Sequence, residues 1–357
     1  MTHSIFRFKF ITTALACSFL LAIVFISCKK DESTPPVVDK TALQDSIDVA
    51  NNLILTTEEG TKPGQYVVGS QATLQTAIDG ATTVVNNADA TQSDVTNSTA
   101  QLHAALDTYR ASIIQEIAAE NLIGYWKFTG NPMDSSGKGN NGIITIGHSY
   151  YGAGMPTLTV DRFGVANRAY HFDHGGNIEV PYTSTLNPQE MTISVWCKKD
   201  TIGRTINADT YTMVSLNRWN GYKYQWQSAN KLFYTVHAIK PAGDTTYYDR
   251  DDDVATLDVG VWYQAVVTFK SGEMNFYVNG DLVKSWTDVP GTPITVPNTI
   301  NFVIGQDLPT SQYQTVDGDF QVAWGGFWTG DLDDVMFYNV ALSASQIQSI
   351  YTNQSTP

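Results

Sequence analysis

Residues 261–286 read VWYQAVVTFKSGEMNFYVNGDLVKSW, and this stretch decides the fold. Tyr263, Ala265, Val267 and Phe269 recur at the period of two that a half-buried strand requires. Ser271-Gly272 breaks the run. Met274, Phe276 and Val278 then alternate as far as Asn279-Gly280, a dipeptide that accepts positive φ at both central positions of a type I′ turn. Leu282, Val283 and Trp286 carry the pattern into a third strand. The expectation is a β-meander of three short strands joined by two tight turns.

Working outward, the pattern is β from Leu122 to the C-terminus. Gly124 to Phe128 reads as a first strand and is followed by a polar loop, Asp134 to Gly142. Ala169 to Asp173 and Ile178 to Pro181 form a hairpin, and Met191 to Trp196 alternates cleanly. After the meander come Ile300 to Gly305, then Gly330 to Asn339, then a short helix with Ile347, Ile350 and Tyr351. Many short strands punctuated by turns indicate two packed antiparallel sheets.

Before Leu122 the period changes. Leu43, Ile47, Ala50 and Ile54 form the stripe of an amphipathic helix, as do Leu74, Ile78, Ala81 and Val85. A third stripe opens at Thr91 with Val95, Leu102, Leu106, Tyr109 and Ile113, and that helix is expected to run on to about Ala119. Leu43-Gln44-x-x-Ile47-Asp48-x-Ala50 repeats at Leu74-Gln75-x-x-Ile78-Asp79-x-Ala81, an offset of 31 residues. Three such helices make a small bundle.

The order of the β landmarks, and the motif WY-x-A-V followed by F-Y-V-N-G-x-L-V, resembles the laminin-G-like, concanavalin A-like lectin/glucanase jelly-roll domains over about residues 122–352. Gln264 stands where many members show His, and Gln346 where Glu is frequent. The helical stretch resembles FIVAR-type modules of bacterial surface proteins, which implies either adhesion or a stalk. The expected organisation is multidomain: a signal peptide over 1–27, a tether over 28–37, a three-helix bundle over 38–118, and an all-β jelly-roll sandwich over 119–357.

The N-terminus supplies the targeting expectation. Arg7 and Lys9 precede an apolar run, Ile11 to Ser27, and Phe25-Ile26-Ser27-Cys28 resembles a bacterial lipobox. The resemblance implies cleavage before Cys28 and lipidation of that residue; the alternative is an uncleaved apolar anchor. Lys29 to Ser33 resembles the export tract on surface lipoproteins of glycan-foraging Gram-negative bacteria, which implies an outer-membrane protein facing the exterior. A solvated periplasmic tether is the alternative. Outer-membrane glycan-uptake proteins are the partners this context implies. With Cys17 in the signal and Cys28 as the lipid site, Cys197 remains alone and is expected to fill core.

Composition excludes one class of partner. The net charge is −14, and no basic stripe exists to meet the phosphates of a nucleic acid. Catalysis is not expected either. A retaining glycosidase needs two carboxylates about 5 Å apart, and the glucanases of this fold carry them as alternating acids on one strand. From residue 119 onward the only glutamates are Glu120, Glu179, Glu190 and Glu273, none with an acid two residues on. No Gly-x-Ser-x-Gly elbow is present. His171 and His174 are too few for zinc.

Two ligand expectations remain. Jelly-roll lectin domains often hold one structural calcium, and by resemblance its carboxylates would be Asp134, Asp173 and Asp333. Sugar binding needs aromatic faces beside amides and carboxylates. Two stretches supply them: Arg218 to Trp226, with Trp219, Tyr222, Tyr224 and Trp226, and Phe320 to Trp328, with Trp324 and Trp328. Tyr222, Tyr224 and Trp226 would share one strand face, which is either a platform or core. The acidic run Asp249 to Asp253 is expected to be a solvated loop. The function these features imply is a lipid-anchored, non-catalytic polysaccharide-binding protein. A structural or protein-adhesion module is the alternative, and an atypical glycoside hydrolase comes third.

Overall fold

The computed structural model describes residues 37–200, 210–253, 257–313 and 325–357. Three helices come first: α1 (Thr41–Thr56), α2 (Ser70–Asn86) and α3 (Gln92–Ala111). Their buried faces carry Leu43, Ile47 and Ala50 from α1, Leu74, Ile78 and Ala81 from α2, and Val95, Leu102, Leu106 and Tyr109 from α3. The internal repeat is repeated as chemistry. Gln44 donates to Asp48 at 2.9 Å, and Gln75 donates to Asp79 at 2.8 Å, the same i,i+4 pair on two helices. Thr91 and Asp94 close a capping box at the start of α3.

Helix α3 stops earlier than its pattern suggests. It ends at Ala111, and the following backbone is claimed by the loop between α1 and α2. That loop holds two short parallel strands, β1 (Glu59–Gly60) and β2 (Tyr66–Val67). Val67 N–H donates to Ser112 O, Ile114 N–H to Gln65 O, and Gly64 N–H to Ile114 O. Pairing to a neighbouring segment satisfies the same groups that another helical turn would use.

The remaining chain is a β-sandwich, with strands β3 (Leu122–Trp126), β4 (Ile143–Thr145), β5 (Thr157–Val160), β6 (Ala166–Phe172), β7 (Asn177–Val180), β8 (Met191–Lys199), β9 (Thr210–Leu216), β10 (Tyr222–Gln227), β11 (Lys231–Ile239), β12 (Thr245–Asp251), β13 (Tyr263–Lys270), β14 (Glu273–Val278), β15 (Asp281–Trp286), β16 (Thr292–Pro293), β17 (Phe302–Ile304) and β18 (Gly330–Tyr338). Helix α4 (Ala344–Gln354) closes the chain. One sheet runs β15-β14-β13-β8-β18-β6-β5, with β3 also on β18. The other runs β12-β11-β10-β9-β17-β7-β4, with β16 on β11. These crossing connections between two antiparallel sheets make a jelly roll.

The meander appears as read, in β13, β14 and β15. Asn279 and Gly280 have φ of 51° and 84°, as the type I′ turn demands. Ala265, Val267, Phe269, Met274 and Phe276 enter the core between the sheets. The opposite face is buried as well, because Val266 and Tyr277 pack with Leu342 and Ile347 beneath α4. Gly280 suits the turn through its φ, and a Cβ there would meet only the movable end of Gln348 at close range.

Helix α4 also joins the helical part to the sandwich. Ser345 Oγ donates to Ile113 O at 3.0 Å, Ser349 Oγ to Thr61 O at 2.7 Å, and Gln346 Nε2 to Gln115 O at 3.2 Å. The glutamine that departs from the family pattern therefore has a use: a carboxylate there could not donate. Gln264, the other departure, is fully buried and donates to Gln354 at 3.2 Å.

Candidate functional site

Register decides which side chains can meet a ligand. On β10, Tyr222, Tyr224 and Trp226 all point inward and are fully buried. Tyr222 donates its hydroxyl to Leu186 O at 2.7 Å, and Trp226 lies 5.9 Å from Trp328, itself fully buried. These four residues, expected as a sugar platform or as core, are core. Trp324 and Cys28 lie outside the described residues.

The alternate residues of β10 face outward. Lys223 is paired across the ladder with Thr235 of β11, which is paired with Asp249 of β12. Gln225 is paired with Phe233, and His237 with Tyr247. Together with Trp219 and Gln227, Lys223, Gln225, Phe233, Thr235, Tyr247 and Asp249 line a cleft of about 670 Å³ on the outer face of this sheet. That volume suits a ligand of a few sugar rings. Tyr247 is 47% exposed and is backed by His237, stacked at 4.1 Å and 19°. Burial lowers the His237 pKa, so the ring beneath Tyr247 is neutral. The Tyr247 hydroxyl donates to Asn220 at 3.3 Å.

Trp219 is set by a buried polar brace. Arg218 sits 4.7 Å over its ring and pairs through Nε with Asp307 at 2.7 Å. Asp307 also accepts from Gly326 N–H at 2.9 Å and from the Tyr313 hydroxyl. Ser215 Oγ donates to Asp307 O at 2.8 Å and accepts from Arg218 N–H at 3.0 Å. Asn217 and Arg218 both hold positive φ, 62° and 53°. A second, smaller cleft of about 220 Å³ shares Trp219 and is lined also by Asn217, Arg218, Asn220, Ile300, Leu308 and Gln312.

The carboxylates expected for calcium are not brought together. Asp134 accepts four bonds, from Tyr125 N–H, Ser136 N–H, Ser136 Oγ and Asn140 N–H, between 2.8 and 3.0 Å. Those donors outweigh its burial and lower its pKa, and they use the lone pairs a cation would need. Asp333 pairs with Arg162 at 2.6 Å, and Asp173 with His174 at 2.6 Å. Asp173 follows the Phe172–Gly330 pair, whereas Asp134 bridges to Trp126 opposite Val335. Five residues of strand separate those ends, about 17 Å. The three do not fit one ion. Among the described residues no group of three or more His, Cys, Asp or Glu could hold a metal.

Residues 172–348 match the family model of the concanavalin A-like lectin/glucanases superfamily. The β-sandwich belongs to that superfamily. Among solved structures, the chain is similar to domain 4 of AbnA, a GH43 extracellular arabinanase from Geobacillus stearothermophilus, in complex with arabinotriose. That likeness has 18% identity and a TM-score of 0.47, and covers 65% of this chain and 98% of that one. It is also similar to the binding domain of Paraclostridial Mosquitocidal Protein 1, at 15% identity and TM-score 0.47 over 66% and 53% of the two chains. The botulinum neurotoxin serotype G binding domain gives 16%, 0.46, 66% and 52%. No curated protein matches the chain.

Of the described residues expected to contact sugar, the concanavalin A-like domain places only Trp219 at the cleft. Phe233, Tyr247, Lys223, Gln225 and Asp249 were not anticipated there. Their signal was present in the sequence: on β10, β11 and β12 polar or aromatic residues alternate with the aromatic and aliphatic ones of the core. Asp249 and Asp251 belong to β12 rather than to a loop, and Asp252 is fully buried.

Proposed function

We propose that the concanavalin A-like domain binds a polysaccharide without cleaving it, in the cleft between Trp219 and Tyr247. The observation that carries this is the cleft's composition: an exposed tyrosine backed by a neutral histidine, beside a buried amide, a hydroxyl and an ammonium. A sugar ring offers an apolar C–H face and a rim of hydroxyls, and such a lining answers both. Among the described residues lining the cleft Asp249 is the one carboxylate, and it accepts from Thr235 Oγ1 at 2.6 Å. Glycoside hydrolysis by the usual routes needs a second, which supports the non-catalytic assignment.

In the same proposal Cys28 carries the lipid, the protein faces the cell exterior from the outer membrane, and the FIVAR-like helices lift the sandwich toward its glycan. Captured polysaccharide would pass to uptake proteins in that membrane. The test is affinity electrophoresis of the purified chain through gels containing individual polysaccharides. At least one should retard it, and Tyr247→Ala should weaken that retention about tenfold, equivalent to about 1.4 kcal/mol, with the thermal midpoint unchanged. Migration unaffected by every polysaccharide, or equal retention of the variant, would sink the proposal.

A further inference from the structure

The floor of the cleft holds two polar side chains whose needs the protein itself leaves unmet. Lys223 is only 8% exposed, and among the described residues it makes no ion pair. Its ammonium lies 5.7 Å from the Trp219 ring centroid and 5.8 Å from that of Phe233, between two aromatic walls. Next to it along the strand face, Gln225 is fully buried, and neither its amide nitrogen nor its amide oxygen has a partner. Both residues line the cleft.

Burying a cation without a counter-charge is costly, and so is burying an amide whose donor and acceptor are left unsatisfied. Two aromatic faces offset part of that cost for Lys223. What they cannot supply is an anion. Asp307 is already engaged by Arg218, while Asp249 keeps its charge as it accepts from the neutral Thr235 hydroxyl and, among the described residues, makes no ion pair with Lys223. Burial is the main reason that the Lys223 pKa falls below the ordinary lysine value; Arg218 adds to the fall, while Asp307 and Asp249 oppose it. A positive group held this way gains most from a ligand that brings negative charge.

On the footing that this cleft is the glycan site, we infer that the glycan is anionic and that Lys223 selects it, receiving a carboxylate or sulfate group while Gln225 bonds the adjoining hydroxyls. An ammonium acts as a point charge, so it accepts either acid group without imposing bidentate geometry. Gln225 supplies both a donor and an acceptor, which matches a sugar hydroxyl beside the acid.

The experiment compares paired polymers on the full chain by isothermal titration calorimetry. Polygalacturonate and hyaluronan are each set against their carboxyl-reduced forms, and carrageenan against its desulfated form. The acidic member of at least one pair should bind about tenfold tighter or more than its neutral partner, the range of one charge-assisted hydrogen bond. Carboxylate and sulfate preferences are read separately from the different pairs. Lys223→Gln should bring that ratio close to one, and Lys223→Arg should retain most of it. Equal affinity within every pair would overturn the inference yet leave polysaccharide binding standing. So would binding confined to polysaccharides that carry no acid. Absence of binding to any glycan would remove both. The comparison within the unaltered chain needs no variant, so a folding defect in Lys223→Gln would not obscure the answer.

Discussion

At the scale of the residue, the lesson of this protein is in alternate positions of one strand. Tyr222, Tyr224 and Trp226 face the core, while Lys223 and Gln225 face the cleft. The two roles predict opposite phenotypes for neighbouring substitutions. Tyr222→Phe removes one buried hydrogen bond and leaves Leu186 O without its donor, so it should cost about 1–3 kcal/mol. Trp226→Ala should cost about 3–5 kcal/mol, as large-to-small core changes do. Denaturant unfolding measures both losses, and the fraction that stays folded should still bind glycan with unchanged affinity. Reduced affinity at intact stability would place these rings at the ligand instead. The sequence made the alternation legible but not its direction. Three aromatics on one face read as a platform or as core, and what lies opposite decides between the two. Here Tyr222 donates to a backbone carbonyl, and Tyr234, the ladder partner of Tyr224, points its hydroxyl at Met191 Sδ, 2.8 Å away. Those partners come from distant loops and strands, so no local pattern announces them.

At the scale of the element, β18 and α4 form the closure of the sandwich. Arg162 reaches from the β5–β6 connection to Asp333 at 2.6 Å, to Asp334 at 2.8 Å and to Gln354 O at 2.8 Å. It also lies 4.4 Å over the Trp196 ring, whose nitrogen donates to Gln354 at 2.9 Å. Removing the cation would leave two buried carboxylates side by side. Arg162→Met should therefore cost about 3–5 kcal/mol near neutral pH. Burial, with Asp334 alongside, already raises the Asp333 pKa above 3.8 in spite of Arg162. A carboxyl raised in the folded state binds its proton where the unfolded chain has lost it. Its contribution to stability therefore declines as pH rises through the raised value and recovers as pH falls toward 3.8. In the variant that raise is larger, so urea titrations at pH 5 and pH 8 should show a smaller defect at pH 5. A pH-independent defect would mean that Arg162 acts by packing alone. None of this closure is local in sequence, and the same holds for the end of α3. The stripe reaches Ile113 and predicts helix on to about Ala119, but Gln65 and Gly64 claim the Ile114 backbone from another loop. By contrast the meander was fully legible, since its signals are the alternation and the Asn279-Gly280 turn within one window.

At the scale of the whole molecule, net charge and the join between helices and sandwich matter more than any single contact. The chain carries a net charge of −14, so the anionic glycan proposed for the cleft would approach against a repulsive field and be held only once it reached Lys223. The field extends about 30 Å at 0.01 M salt and about 8 Å at 0.15 M, whereas a buried contact is screened far less. Association with hyaluronan or carrageenan should consequently speed up as salt rises over that range, measurable by stopped flow or surface plasmon resonance. Slowing with salt would indicate a basic steering surface instead. The join between helices and sandwich has a mechanical consequence. The bonds from Ser345, Gln346 and Ser349 grip carbonyls at Ile113, Gln115 and Thr61, all of which precede the first strand of the sandwich. A pull on the chain from its N-terminal side reaches those bonds before it reaches β3. In the proposed lipid-anchored, glycan-bound state, flow dragging on the polymer would thus load the clasp at α4 first, and the strand ladder that shapes the cleft would bear the strain only after the clasp had yielded.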